Sequence, residues 1–456
     1  MLALGEQLSG FWQGYGGLVR TRTRDTSEYG RAYLSGLLRM ETQRNIASIG
    51  RQCGVGEQNM QHFISESPWE GAKVIEAVRQ SVAGRQELKG GVLILDESGD
   101  EKFGESSVGV ARPYNGRHHQ VERSQVGVFL SYVSGTIWTW VDGELYVPER
   151  WFSSAYSQRR QKAGIPAERT YQKKSELGWQ LIERAQQSGI DFVAVCFDSY
   201  YGHETWLRDQ CHAAGLEYYG DIKSHSLVYL RDPSPAFEPD SQGRIPKHPS
   251  ILEQWAYRVE ELPNHPAIQW RTIALRPDAR GILRAQFASL PVWTVRKNGQ
   301  VVAETLLLRR FGKAITYTLT NAAPNTPLDV LATRKSQRYF VERTIQDAKS
   351  EFGWDEFQAL KYRAWDHHLA LTILASWFIA QTRLEWSLAH PPDLALLDHY
   401  AIDVLPALSV ANVRQLLRAA LPLPQLSPQQ AVQLVAKHLD NRTRSRRSRL
   451  KNRSGP

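Results

Sequence analysis

The sequence predicts a mixed α/β protein whose sheet is flanked by helices toward both ends of the chain. Three observations predict it: helical periodicity over residues 1 to about 88, a switch to strand patterns at residue 91, and an alternation of helix and strand from 174 to 222.

In the first region, "YGRAYLSGLLRME", "QRNIASIGRQCG", "EQNMQHFISES" and "PWEGAKVIEAVRQSVAG" place apolar residues three and four apart. Residues 44–65 have the outline of a helix-turn-helix. Ile46 and Ile49 lie on a first short helix, Gly54 and Gly56 in a turn, and Met60 and Phe63 on a second helix. Helix pairs with a glycine turn are common, so the outline alone does not assign DNA reading. Pro68 suits the first turn of the next helix, with Ser67 as its cap.

"GVLILD" (91–96) opens the strand region, followed by "SSVGVARPY", "QVGVFLSYV" and "TIWTWVD", with turns at Asn115-Gly116 and Ser134-Gly135. A helix at "KSELGWQLIERAQQSG" (174–189), a strand "DFVAVCFD", a helix near "HETWLRDQCHAAG" and a strand "LEYYGDI" complete the region. Hairpin-linked strands, then helix, strand, helix and strand, are the outline of a ribonuclease H-like fold.

Residues 223–333 are rich in Pro, Trp and alternating patterns, with a hairpin at Asn298-Gly299, and read as a β-rich insertion. Residues 334–385 return to helix. Residues 386–456 hold a Pro-rich link near 391–392, a small helical region and a basic tail. The expected parts are thus 1–88, 89–222 and 334–385 as two pieces of one core, 223–333 inserted between them, and 386–456.

The 456 residues suffice for two or three domains, and 42% hydrophobic with 23% charged residues suits a soluble globular chain. Cys53, Cys196 and Cys211 are too few for a disulfide framework and point to a reducing cytoplasm. "MLALGEQLSGFWQGYGG" lacks the outline of a signal peptide, and the longest apolar run, "LALTILASWFIA" (369–380), is too short for a bilayer. A net charge of +9 favours a polyanionic partner. Arg442, Arg444, Arg446, Arg447, Arg449, Lys451 and Arg453 crowd the last residues with no acid among them. Such a block is either a solvated tail or a nucleic-acid-binding segment, expected to stay disordered until phosphates neutralise it. Of the fourteen tryptophans most belong in cores, and some could stack on bases.

Two apolar runs end in an acid, Asp96 and Asp198. Buried parallel strands often end so for structural reasons alone, and a third acid decides the matter. "RYFVERTIQDAKSEFG" supplies Glu342, with Arg338 four residues before it and Lys349 seven after, within roughly 40° on one helical face. Ile345 shares that face and would seat the helix on the sheet. Three carboxylates around one pocket need a counter-charge. Two Mg²⁺ ions, which prefer oxygen ligands, provide it, and ions about 4 Å apart support in-line phosphoryl transfer. Asp96 would bridge the ions, Asp198 and Glu342 would each hold one side, and Arg338 and Lys349 would meet the phosphate backbone.

Asp96, Asp198 and Arg338-x3-Glu342-x6-Lys349 together resemble the DDE transposases of bacterial insertion sequences, in the branch with a Tyr-Arg-Glu-Lys signature and a β-rich insertion between the second Asp and the Glu. "SVGVARPYNG", "QVGVFL", "DSYYG" and "SEFGWDEFQALKYRAWDHH" add to the likeness, which runs from about residue 33 to 380. The resemblance implies metal-dependent cutting and rejoining of transposon ends, Mg²⁺ with Mn²⁺ as a substitute, a homodimer on double-stranded DNA, and a bacterial cytoplasmic protein found at the nucleoid when bound. The signature's Tyr would fall three residues before the Arg, where this chain has Lys335, and Tyr339 follows the Arg instead. The branch also stacks a displaced base on a Trp of the insertion, for which Trp255, Trp270 and Trp293 are the candidates.

Other chemistries fail on spacing. An aspartyl-phosphate phosphatase wants an acid at position 98, which is Ser. Gly312-Lys313 lacks a glycine-rich phosphate loop, so no ATP is expected. Cys211-His212 with His203, and the adjacent His367-His368, are not zinc spacings. No Gly-x-Ser-x-Gly elbow occurs. The remaining alternatives are a transposase-derived DNA-binding protein that no longer cuts and a metal-dependent nuclease without strand transfer.

Overall fold

Strand β1 (Gly91–Glu101) is an inner strand of a nine-stranded sheet that organises the protein. The structure is a computed structural model and describes residues 2–102, 104–111, 114–115, 120–121, 123–233, 244, 256–278, 281–357, 360–391, 395, 399, 407–423 and 427–451. Five helices precede the sheet: α1 (Leu2–Tyr15), α2 (Ser27–Arg39), α3 (Ile46–Gln52), α4 (Glu57–Ser65) and α5 (Gly71–Ala83). Asn45 caps α3 by accepting from Ser48 N–H, Gly54 turns the chain at φ +76°, and Ile49, Met60 and Phe63 are buried. Helix α5 begins at Gly71, not at Pro68 as expected. Trp69 holds the connector extended, with its indole donating to the Phe63 carbonyl and its ring stacked on His367 at 3.6 Å.

Strands β2 (Ser124–Ser134) and β3 (Ile137–Tyr146) form an antiparallel hairpin around Gly135 and complete one side of β1. Of the strand expected at "SSVGVARPY", the described residues give only a bridge of Ala111 opposite Ser124 and the short pairing of Tyr114. β2 takes the edge of β1 from Val92 opposite Val133 to Glu101 opposite Ser124, and leaves none of it to residues 106–110. That segment turns at Gly109 (φ +68°) and buries Val108 and Val110; Tyr114–Asn115 pairs only with Gln120–Val121. Gly116 of the expected turn lies outside the described residues.

Helix α6 (Ser157–Ala163) and helix α7 (Lys174–Gln187) lead to β4 (Phe192–Phe197), helices α8 (Ser199–His203) and α9 (Thr205–Ala213), and β5 (Tyr218–Ile222). β4 is parallel to β1, and β5 is parallel to β4. Strands β6 (Arg271–Asp278), β7 (Gly281–Val295), β8 (Val301–Phe311) and β9 (Ala314–Thr320) continue the same sheet, giving the order β6-β7-β8-β9-β5-β4-β1-β2-β3. Among its described residues, "QWAYRVEEL" contributes the two-residue strand Tyr257–Arg258 before a 3-10 turn. Buried Glu304 on β8 fastens this extension to the rest: Arg208 of α9 donates to it at 2.5 Å, Tyr218 of β5 and Thr294 of β7 also donate, and Arg296 lies 3.5 Å away. The pull of Arg208 and Arg296 outweighs burial and holds its carboxyl below the ordinary range.

Helices α10 (Leu328–Ser336) and α11 (Tyr339–Ser350) cover one face of the sheet. Helix α12 (Tyr362–Ala389) lies deep in the other face and is buried nearly all round from Ala364 to Leu384, which accounts for the apolar run at 369–380. No helix among the described residues is long and apolar enough to cross a membrane. His368 lies in this core, sandwiched between Trp354 and Phe357; His367 bonds the Ile64 and Trp69 carbonyls. Helix α13 (Val410–Ala420) returns to the N-terminal helices, where Arg414 reaches the Leu38 carbonyl at 3.0 Å and Glu351 at 2.6 Å. The basic tail is helical, contrary to expectation, over α14 (Pro428–Lys451). Asp440 sits one turn before Arg444 and pairs with it at 2.7 Å, relieving part of the self-repulsion.

Close approach of α8 to β5 requires a glycine: a Cβ on Gly202 would lie 2.0 Å from the Asp221 carbonyl oxygen. Gly202→Ala is expected to destabilise the protein by about 1–3 kcal/mol. Exposed Gly10 in α1, with open space around it, should gain about 0.5–1 kcal/mol as Gly10→Ala. Thermal melting of the two variants checks both signs.

Candidate active site

The site begins with strand register. Leu95 of β1 pairs with Phe197 of β4, and Phe197 pairs with Gly220 of β5. The next residue on each strand is an acid: Asp96, Asp198 and Asp221. Adjacent strands lie about 4.8 Å apart, so three carboxylates stand in a row across three parallel strands. Side chains alternate along strands. Val92 and Ile94 of β1, Ala194 and Cys196 of β4, and Tyr219 of β5 form the apolar face packed under α10 and α11. The three acids extend that face by one step.

Asp96 is not at a strand tip, since β1 runs on to Glu101 by pairing with β2; it is where pairing with β4 stops. Asp198 caps α8, accepting from Tyr200 and Tyr201 N–H at 3.0 and 3.2 Å. Asp221 is not among the residues the sequence singles out, although "YYGD" has the same apolar-to-acid pattern as the other two strands. It accepts from Thr318 at 2.6 Å and pairs with buried Lys335 at 2.8 Å. The residue standing where the resembling branch has Tyr therefore neutralises a buried acid.

Arg338, at the start of α11, faces the row. Its guanidinium is 3.8 Å from Asp96, 3.8 Å from Asp221 and 3.9 Å from Glu342, and its Nε is buried without a hydrogen-bond partner among the described residues. Burial works against its charge, and Asp221, Asp96, Asp198 and Glu342 more than offset that. Burial pushes the Asp96 carboxyl up to about 7 against the pull of Arg338, with Asp198 and Glu97 adding to the rise, although 15% of the side chain remains exposed. Asp221 goes the other way: burial raises it, but Lys335 and Arg338 bring it below the ordinary range. Glu342 is 68% exposed, on the turn of α11 after Arg338.

Lys349 points elsewhere. Its ammonium pairs with buried Asp100 at 2.8 Å and donates to the Gly99 carbonyl at 3.0 Å, fixing the end of α11 to β1. Glu97 pairs with Lys174 of α7 at 2.7 Å and receives the Tyr201 hydroxyl at 3.3 Å. Arg442, Arg444, Arg446 and Arg447 are exposed on α14, which also carries Arg449; Arg453 lies outside the described residues. Trp270 is capped by Arg310 at 4.1 Å, half-buried Trp293 bridges Tyr229 through its backbone, and Trp255 lies outside the described residues.

The donor set is all carboxylate oxygen, which suits a hard divalent cation. The raised Asp96 carboxyl and the orphaned Arg338 Nε mark a place short of partners for its charges. As they stand, no three acid, His or Cys side chains among the described residues are close enough together to hold an ion.

Residues 15–285 match the family described as DDE superfamily endonuclease. That span includes Asp96, Asp198 and Asp221 and ends before Glu342. Over 330 residues the chain is 28% identical to the "Probable transposase for insertion sequence element IS701" of Microchaete diplosiphon, covering 70% of this chain and 73% of that protein.

A carboxyl raised by folding stabilises the fold while protonated and loses that contribution as pH rises through its folded value, here about 7. In EDTA, Asp96→Asn should therefore melt above wild type at pH above about 7, by ~1–3 kcal/mol. The gap should close toward the ordinary carboxylate range, and melting curves across pH test this.

Proposed function

The chain belongs to the DDE superfamily of endonucleases, and on that premise we propose that it is the transposase of an insertion sequence, binding terminal inverted repeats and catalysing metal-dependent strand cleavage and transfer. The observation that carries the reading is the convergence on Arg338 of Asp96 and Asp198, from adjacent parallel strands, and Glu342, from the covering helix. The sub-order β3-β2-β1-β4-β5, antiparallel up to β1 and parallel beyond it, supports a ribonuclease H-like core. β6 to β9 are then the insertion that separates Asp198 from Glu342.

Asp96, Asp198 and Glu342 are the proposed catalytic residues and the ligands of two Mg²⁺, or Mn²⁺ in its place, with exposed Glu342 turning inward to complete the set. Bound there, the metal would activate a water or 3′-hydroxyl and stabilise the leaving oxygen of an in-line phosphoryl transfer. Asp96 gives up its proton to take part, and Asp198 keeps its carboxylate aimed by the two N–H groups it caps. Arg338, whose side chain stays 21% exposed beside its carboxylates, would meet the scissile phosphate through that exposed edge. Asp221 and Lys335 act as positioning residues behind it. Lys349, paired with Asp100, orients α11 in this scheme.

Joining exchanges one phosphodiester for another, so no ATP is needed. Exposed Gln58, Asn59, Gln61 and His62 on α4 support a groove-reading role for the helix-turn-helix, and Arg442, Arg444, Arg446, Arg447 and Arg449 on α14 support phosphate binding. A homodimer would bring two ends together, in the bacterial cytoplasm where the DNA lies.

The test uses a labelled duplex carrying the element's end, with Mg²⁺ or with EDTA. Wild type should cut and join it with Mg²⁺ only. Asp96→Asn, Asp198→Asn and Glu342→Gln should each lose roughly 10²-fold or more in rate while still binding. Cutting without joining would indicate the nuclease, and tight binding without cutting under any metal would indicate the silent derivative.

A further inference from the structure

Between β3 and α7, whose first residue Lys174 pairs with Glu97, the chain runs without joining the sheet. Residues 147–173 carry Arg150, Arg159, Arg160, Lys162, Arg169 and Lys173 against two acids, Glu149 and Glu168. Arg169 is taken by Glu144 at 2.7 Å. Arg159, Arg160, Lys162 and Lys173 form no ion pair among the described residues, and Lys162 and Lys173 are exposed.

Rings brace these cations instead of carboxylates. The Arg159 guanidinium lies over Trp151 at 5.1 Å and Tyr156 at 5.3 Å, and that of Arg160 over Phe152 at 5.7 Å. Trp151 is fully buried and donates to the Val110 carbonyl, so the platform under Arg159 is rigid. A guanidinium held by its face keeps its N–H edges available, the geometry suited to phosphate oxygens. The ring series leads toward the site: Phe152 contacts Tyr171 at 6.4 Å, and Tyr200 beyond it has its hydroxyl raised by burial and by the charges of Glu97 and Glu204, with Tyr171 adding less. Lys174 lies over Tyr200 at 5.0 Å, and Tyr200 N–H donates to Asp198. Cations interleaved with rings are the composition of surfaces that track a nucleic-acid strand.

We propose that Arg159, Arg160 and Lys162 on α6, with Lys173 beyond it, grip the phosphate backbone of DNA next to the Asp96–Asp198 site. The proposal rests on the DNA-cleaving reading and adds where the strand lies. Unpaired cations this close together repel one another, and a polyanion across them relieves that.

Fluorescence anisotropy with a short labelled DNA duplex, over a salt series, tests it. Removing one cation that neutralises a phosphate lowers the slope of log affinity against log salt by about 0.9. Arg159→Gln/Arg160→Gln/Lys162→Gln should lower the slope by about 2 to 3 and weaken binding on the order of tenfold or more at physiological salt. Because Arg159 packs on Trp151, Lys162→Glu alone, at an exposed position, gives a second reading free of any change in packing, and Arg159→Lys/Arg160→Lys should restore most of the slope. Wild-type binding with an unchanged slope in both the triple variant and Lys162→Glu overturns this proposal and leaves the nuclease chemistry standing. A wild type that binds no duplex at low salt removes both.

Discussion

The pairing of Leu95 with Phe197 and of Phe197 with Gly220 is the constraint on which the site depends. Once three parallel strands are locked in that register, the residues that follow are level with one another and on the same face, because side chains alternate with a period of two. A slip of one residue on any strand would turn its acid toward the opposite core. The apolar residues before each acid, Ile94, Cys196 and Tyr219, enforce the register by burial under α10 and α11. The same packing that stabilises the sheet therefore sets the position of the carboxylates.

Grouping acids in this way has an electrostatic cost, and the structure meets it unevenly. Asp221 is supplied with Lys335, Thr318 and part of Arg338, and is held ionised. Asp96 has a single backbone N–H, from Glu97 at 2.8 Å, and Arg338 at 3.8 Å, and burial holds its proton to about 7. The difference marks which acid is structural and which is left with an unmet demand for positive charge. An acid satisfied by fixed neighbours has little to offer a cation, whereas one satisfied only in part does.

Much of this is legible in the sequence, for identifiable reasons. Asp96 and Asp198 stand out because long apolar runs lead into them, and the helix of Glu342 because Arg338, Glu342 and Ile345 fall on one face. Asp221 escapes notice because "LEYYGDI" is short and carries an acid near its start, which masks the run. Lys335 reads as a departure from a pattern, since nothing local indicates that it is buried against Asp221. The loss of strand pairing at 106–110 and the placement of Lys349 are tertiary outcomes: β2 takes that edge of β1, and Asp100 captures the ammonium. The helical tail is hidden from a reading of charge density alone, which overlooks the compensating Asp440 one turn away.

Strands β6 to β9 bear on the site although they lie beyond β5. β9 pairs with β5 and sends Thr318 to Asp221, and β6 sends Arg276 over the ring of Tyr339 at 3.7 Å. Tyr339 is the neighbour of Arg338 and lies three residues before Glu342, so β6 holds the start of α11 from one side while Asp221 holds it from the other. Glu304, with Arg208 and Tyr218 on one side and Thr294 on the other, makes that outer support rigid with respect to α9 and β5. Removing one partner of such a buried group leaves an uncompensated charge, so this junction resists partial opening. Strands β6 to β9 thus brace the helix that carries Glu342, through Arg276 on Tyr339 and through Thr318 on Asp221.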